Sequence, residues 1–245
     1  MDTKLILGIT SIMFVILYII YYFIIQTLLK SIHNKNIPMY CIFIPQREKY
    51  IKNFFNDYGL KINYVPAVYK DDINIEQMIK DNKLSKNMLR YSNPESRIGC
   101  YLSHVKSMKE FLKTDKERCI LFEDDITTSY SKINLLYKFN NILGNIPNDC
   151  DLLYIGYCFE QCDKVKKYNE YFSIGYQPKC NHAWSVNRRA AEIIINESNY
   201  INDTIDEILL KINFKVYLSN YDLFYQNRDE IISLLGNNNK LTLCA

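Results

Sequence analysis

The chain has 245 residues and a net charge of +3, from 30 basic and 27 acidic side chains. That length holds one ordinary domain plus a short appendage, and a composition of 48% hydrophobic and 23% charged residues excludes a disordered chain. The charges are scattered with no basic stripe, which excludes nucleic acid as a partner.

The first feature in chain order is an uncharged run from Leu5 to Leu29, dominated by Ile, Leu, Phe, Tyr and Val. At about 1.5 Å per residue a helix of this length exceeds the ~30 Å hydrocarbon core of a bilayer. It is longer than the apolar part of a cleavable signal peptide, roughly 7–15 residues, and it meets Lys30 instead of a small-residue cleavage site. We read it as the signal-anchor of a single-pass membrane protein. Lys4 and the amino terminus, partly offset by Asp2, lie on one side and Lys30 and Lys35 on the other, so the flanking charges nearly balance. A lumenal soluble part is the working expectation. The sequons at Asn196 and Asn202 add almost nothing to it, because such triplets arise by chance in a chain this rich in Asn. Residues 1–35 are thus an anchor and short stalk, the stalk being the polar stretch Ser31–Pro38, and residues 36–245 form the soluble domain.

The apolar run Met39–Ile44, stopped by Pro45, reads as a strand buried in a parallel sheet. A helix follows over Glu48–Tyr58, with Tyr50, Ile51, Phe54 and Phe55 at helical spacing and Gly59 just past its end. Ile62–Val65 is a second strand, and Lys70–Pro94 a polar loop with short helical pieces. After Arg97-Ile98-Gly99-Cys100 comes an amphipathic helix whose Leu102, Val105, Met108, Phe111 and Leu112 fall near one face. Cys119–Phe122 is then a buried strand running directly into Glu123-Asp124-Asp125. Further strands are expected at Asp151–Gly156 and around Trp184–Val186, and helices at Arg188–Asn196 and Ile205–Ile212. The order of strands and helices gives an α/β domain. The eight cysteines contain no C-x-x-C pair, the closest being Cys158 and Cys162, and read as free, mostly buried thiols.

In open α/β sheets ligands bind beyond the carboxyl ends of the strands, where the acidic triplet falls. On an extended backbone Glu123 and Asp125 point to one side and Asp124 to the other. Two carboxylates can then converge on one hard cation, Mn²⁺ or Mg²⁺, which prefers oxygen ligands. Taken alone, three acidic residues after an apolar run are more often a solvated turn or a helix start.

The setting narrows this. Gly99-Cys100-Tyr101-Leu102-Ser103-His104, a helix, and then Ile120-Leu121-Phe122-Glu123-Asp124-Asp125 together resemble glycosyltransferase family 25, the group that includes lipopolysaccharide β-galactosyltransferases and collagen galactosyltransferases. The strand Tyr40–Ile44 with Arg47 and Glu48 is similar to the family's opening segment, although Ile44-Pro45-Gln46 departs from its usual Asn-Leu pattern. His182–Ala191, Ile205-Asp206-Glu207-Ile208-Leu209 and Phe224-Tyr225-Gln226 resemble later family segments, so the likeness spans roughly residues 39–235.

The resemblance implies a GT-A-type, Rossmann-like nucleotide-sugar-binding domain. It also implies a UDP-sugar donor carrying galactose or glucose, inversion at the anomeric carbon, and a glycan, lipid-linked glycan or protein hydroxyl as acceptor. Glu123 and Asp125 would hold Mn²⁺ (or Mg²⁺), and Asp206 would be the general base, with Asp124 and Glu207 as rivals. His104, Ser103, Gln226 and His182 would contact substrate. Each has a plainer reading: Asp206 as a charge at a helix start, and His104, His182 and Trp184 as packing residues. The rival for the whole chain is a catalytically silent, membrane-anchored module that binds a glycan or protein. A metal-dependent phosphotransferase or nuclease would call for a Gly-rich phosphate loop or further metal ligands, and neither is evident.

Overall fold

The computed structural model describes residues 3–158 and 160–231. Its elements in order are α1 (Thr3–Asn34), β1 (Met39–Phe43), α2 (Glu48–Tyr58), β2 (Asn63–Pro66), α3 (Ile75–Lys80), α4 (Pro94–Leu112), β3 (Arg118–Phe122), β4 (Ile126–Thr127), α5 (Lys132–Gly144), β5 (Leu152–Cys158), β6 (Lys166–Lys167), β7 (Phe172–Ile174), β8 (Lys179–Asn187), α6 (Arg188–Glu197), α7 (Ile205–Lys211), β9 (Val216–Ser219) and β10 (Tyr225–Gln226). Eight strands form one mixed sheet in the order β2-β1-β3-β8-β5-β9-β7-β6, and β4 pairs with β10 in a separate two-stranded ribbon. In the large sheet β1 is parallel to β2 and β3, and β5 is parallel to β9. The long strand β8 runs antiparallel to both β3 and β5 and joins the two parallel groups.

Apolar residues cover both faces of the sheet. On one face α4, α6 and α7 pack through Tyr101, Val105, Met108, Phe111, Ala191, Ile194 and Ile208 onto Leu121, Leu152 and Trp184. On the other, α1, α2 and α5 pack through Ile32, Ile51, Phe55, Leu136 and Phe139 onto Cys41, Ile120, Phe122 and Leu153. All five residues of β1 are buried, as a parallel strand covered on both sides requires. The α/β expectation therefore holds, as a three-layer domain behind an N-terminal apolar helix.

Local chemistry explains where elements begin and end. Gly59 caps α2 in the left-handed region at φ 76°, and a Cβ there would also stand 2.9 Å from a Leu29 methyl. The helix expected after Cys100 starts earlier: Pro94 occupies its first turn, where the missing N–H is harmless, so Gly99 lies inside α4. Glycine is needed there because a Cβ would come within 2.7 Å of the Val68 carbonyl oxygen. The backbone approach brings Ser103 within hydrogen-bond reach of Val68, just past the end of β2.

Two expectations are corrected. The segment read as a polar stalk begins instead with the last turn of α1. Residues Ile25, Leu28, Leu29 and Ile32 of that helix belong to the core against α5, and Ser31 Oγ donates to Asn140 Oδ1 at 2.8 Å. The apolar spacing of four at i, i+3, i+4 and i+7 is that of a packed helix face, and it was hidden inside a uniformly apolar run. The reading of all cysteines as free thiols fails at Cys158 and Cys180, which form a disulfide across the β5–β8 ladder with Cα atoms 5.6 Å apart. Cys41, Cys100, Cys119 and Cys150 are free.

Candidate active site

The strand β3 ends at Phe122 because the chain turns at Asp124-Asp125, and the triplet lies beyond the carboxyl ends of the parallel strands β1, β2 and β3. A cavity of about 200 Å³ opens there, lined by all three carboxylates together with Arg47, Ser103, His104, Gln226 and Arg228.

The triplet divides three ways. Glu123 accepts from or shares a proton with His104 Nε2 at 3.0 Å, while its backbone N–H donates to the His182 carbonyl at 2.9 Å. Burial pushes the Glu123 carboxyl up, but the hydrogen bond from His104 and the charges around it hold it below the usual range. Asp124 accepts the Ile44 N–H at 2.7 Å and Arg47 Nη1 at 2.7 Å, so both its oxygens are engaged. That bond also explains the end of β1: Pro45 has no N–H and the Ile44 N–H is taken by Asp124. Asp125 is buried, with Gln226 Nε2 at 3.3 Å and the guanidinium nitrogens of Arg228 and Arg47 at 3.7 and 3.8 Å. Burial and the neighbouring Glu123 charge raise the Asp125 carboxyl to about 7 despite those two arginines.

Asp206 lies on the first turn of α7, outside the cavity wall, accepting from Asn181 Nδ2 at 2.8 Å. Burial, followed by the Glu123 charge, raises its carboxyl to about 6. Its position is set by Asp203, which is clamped by Arg90, Tyr91 and Lys211 just ahead of the helix. Thr204, not Asp206, is the cap residue, and no side chain caps the helix. Glu207 is paired with Lys179 at 2.5 Å.

The residues expected to contact substrate fare differently. Gln226 reaches Asp125 and is itself held by Arg228, through β10 pairing with β4. His104 is fully buried and lines the cavity beside Glu123. Ser103 lines it too, but its hydroxyl donates to the Gly99 carbonyl at 2.6 Å and accepts the Val68 N–H at 2.8 Å, pinning α4 to the segment after β2. His182 is buried between β5 and the Phe224 segment, its Nε2 3.2 Å from the Phe224 carbonyl oxygen, and is not among the residues that line this cavity. Trp184 is a core residue stacked on Tyr154 at 6.2 Å. Arg228 was missed by sequence reasoning altogether, and Arg47 was seen only as part of the stretch that resembles the family's opening segment. Arg228 Nη1 is buried without a hydrogen-bond partner.

Comparison with known proteins identifies the family. The family model described as glycosyltransferase family 25 (LPS biosynthesis protein) matches residues 44–209. That span includes the triplet and Asp206 and stops short of Gln226 and Arg228. A Drosophila pseudoobscura pseudoobscura protein named "Glycosyltransferase 25 family member" is 24% identical over 146 residues, which is 54% of this chain and 22% of that relative. The chain therefore aligns with about a fifth of the relative's length. With two thirds of its residues matched by the family model, the chain belongs to glycosyltransferase family 25.

Proposed function

We propose that the chain is a metal-dependent, inverting glycosyltransferase of the GT-A type that moves galactose or glucose from a UDP-sugar to a hydroxyl of a glycan, lipid-linked glycan or protein. The observation that carries the reading is Asp125: a buried carboxylate whose charge two flanking arginines leave under-compensated, in a cavity at the ends of parallel strands. A carboxylate in that condition fits a bound cation. Glu123 and Asp125 would hold Mn²⁺ or Mg²⁺, which when bound supplies positive charge to offset that developing on the departing diphosphate.

The chain's own residues account for the rest. Arg47 and Arg228 present guanidinium groups, which match phosphate oxygens bidentately, and Arg228 Nη1 is a buried donor that an anionic ligand would satisfy. Asp206 would take the acceptor hydroxyl's proton, since a carboxyl raised to about 6 is a stronger base than an ordinary one and is still ionised at neutral pH. Asp124 is the weaker candidate because both its oxygens are already engaged, and Glu207 because it is paired with Lys179.

The test is calorimetric titration of UDP into the detergent-solubilised full chain, with Mn²⁺ or with EDTA, for wild type and Asp125→Ala. Binding only with metal, and lost in the variant, is expected. A folded protein that binds no UDP under either condition would favour the silent binding module.

A further inference from the structure

Among the described residues, one set of three side chains brings metal-ligating atoms close together, and it is not the acidic triplet. Cys100 Sγ, His104 Nε2 and a Glu123 carboxylate oxygen all lie within 4.8 Å of one another, with His104 to Glu123 at 3.0 Å and Cys100 to Glu123 at 3.9 Å. Cys100 and His104 are four residues apart on α4, so successive turns carry them on one helix face. Glu123 meets them from the end of β3. The lines of bonding within the triplet, by contrast, diverge toward His104, toward Ile44 and toward Gln226.

We propose that Cys100, His104 and Glu123 form a second cation site, one that takes a thiophilic ion of the Zn²⁺ class and shares Glu123 with the hard-ion site. Only the sharing rests on the function proposed above; the binding itself does not.

The chemistry of the donor set separates the two ions. A thiolate and an imidazole beside one carboxylate suit zinc, while Mn²⁺ and Mg²⁺ prefer all-oxygen surroundings, and the general order of divalent affinities places zinc well above manganese. The spacing also fits. With metal bonds of about 2.0 Å to nitrogen or oxygen and about 2.3 Å to sulfur, tetrahedral ligand atoms stand roughly 3.2–3.8 Å apart, so the observed separations need shifts of a few tenths of an ångström to about one. All three residues line the cavity, which leaves a fourth coordination position facing the space where a ligand would enter.

One feature sets the strength. His104 Nδ1 is buried without a hydrogen-bond partner, so the ring lacks the outer contact that usually fixes a metal-binding imidazole. Loss of such contacts weakens metal affinity by roughly 10–100-fold. The site is therefore an exchangeable one, and zinc bound there withdraws Glu123 from the hard ion. Binding converts the Cys100 thiol to a thiolate and releases its proton to solvent.

The experiment uses the full chain in detergent, stripped with EDTA and titrated with Co²⁺, a spectroscopic substitute for zinc, with no nucleotide present. The expected result is a near-ultraviolet thiolate-to-cobalt charge-transfer band that saturates at one equivalent and is bleached by Zn²⁺. It should disappear in Cys100→Ser and persist in Asp125→Asn. Cobalt binding without the band, a band that survives Cys100→Ser, or one lost in Asp125→Asn would each overturn the proposal. If Cys100→Ser does not fold, alkylation of Cys100 in wild type decides: Zn²⁺ should slow it at least tenfold, and an unchanged rate refutes the site.

Discussion

Replacing Asp206 with Asn should separate catalysis from stability. The folded chain holds the Asp206 proton to about 6 against an ordinary 3.8, chiefly through burial and then the Glu123 charge. The folded state thus binds this proton more tightly than the unfolded state does. The group's contribution to stability is fully present below the unfolded value and is lost as pH rises through about 6. At pH 8 the ionised carboxylate carries a penalty of about 3 kcal/mol by the bare shift. Because Asp206 is partly open to solvent, screening trims this to about 1–2 kcal/mol. Asn cannot ionise and keeps an oxygen that can accept from Asn181. The variant should therefore melt about 3–6 °C above wild type at pH 8 in EDTA, the range expected for a chain of this size, and no higher than wild type at pH 4. The same substitution should reduce sugar transfer by about 10²–10⁴-fold, the usual weight of a general base. Paired melts at pH 4 and pH 8, with UDP release measured at pH 7.5, test both arms. Equal melting shifts at the two pH values would refute the electrostatic argument, and normal turnover would remove Asp206 from the mechanism.

Arg228→Met removes the buried donor facing the cavity. UDP affinity measured by calorimetry should fall by about 10–100-fold, from the usual 1.5–3 kcal/mol for a hydrogen bond to a charged group, and an unchanged affinity would take the guanidinium out of the diphosphate site. Truncation distinguishes a packed helix end from a stalk. A fragment beginning at Phe23 should keep the wild-type melting temperature in detergent, whereas one beginning at Asn36 loses Ile25 and Ile32 from the core, at about 1.5–3 kcal/mol each. Identical melts for the two fragments would contradict the packing of α1 on α5.

Much of the fold was legible where a segment's own residues decide its state. β1 and β3 are continuous apolar runs with abrupt stops, and α2 and α6 carry periodic apolar faces with a capping residue, Gly59 past the end of one and Asn187 before the start of the other. α5 went unread although Leu135, Leu136, Phe139, Ile142 and Leu143 mark a buried face. β4 and β10 are two residues each, too short for any alternation to register, and their pairing is created by tertiary contact.

The site divides along the same line. The triplet and Asp206 are short local patterns, whereas Arg228 reaches Asp125 from 103 positions away in the chain, a meeting that no local signal encodes. Ser103 and His182 also carry structural bonds that the motif alone does not disclose. Polar residues inside a family-like motif read as ligand contacts, and the structure uses their hydrogen bonds to fasten α4 to Val68 and β8 to the Phe224 segment. The Cys158–Cys180 bond is of the same kind, since spacing alone never gives the connectivity.

The docking of α1 also bears on how the chain would be handled at a membrane. Ahead of Ile25, the described side chains from Ile6 to Ile24 stand outside the packed core, a stretch of about 28 Å that is close to the thickness of a hydrocarbon layer. A protease that removed the segment as a leader by cutting beyond Ile25 would strip the domain of part of its own core, since Ile25, Leu28, Leu29 and Ile32 pack there. Were the helix to lie in a bilayer, its docking on α5 would leave no swinging tether, and the domain would be carried as an extension of its own span.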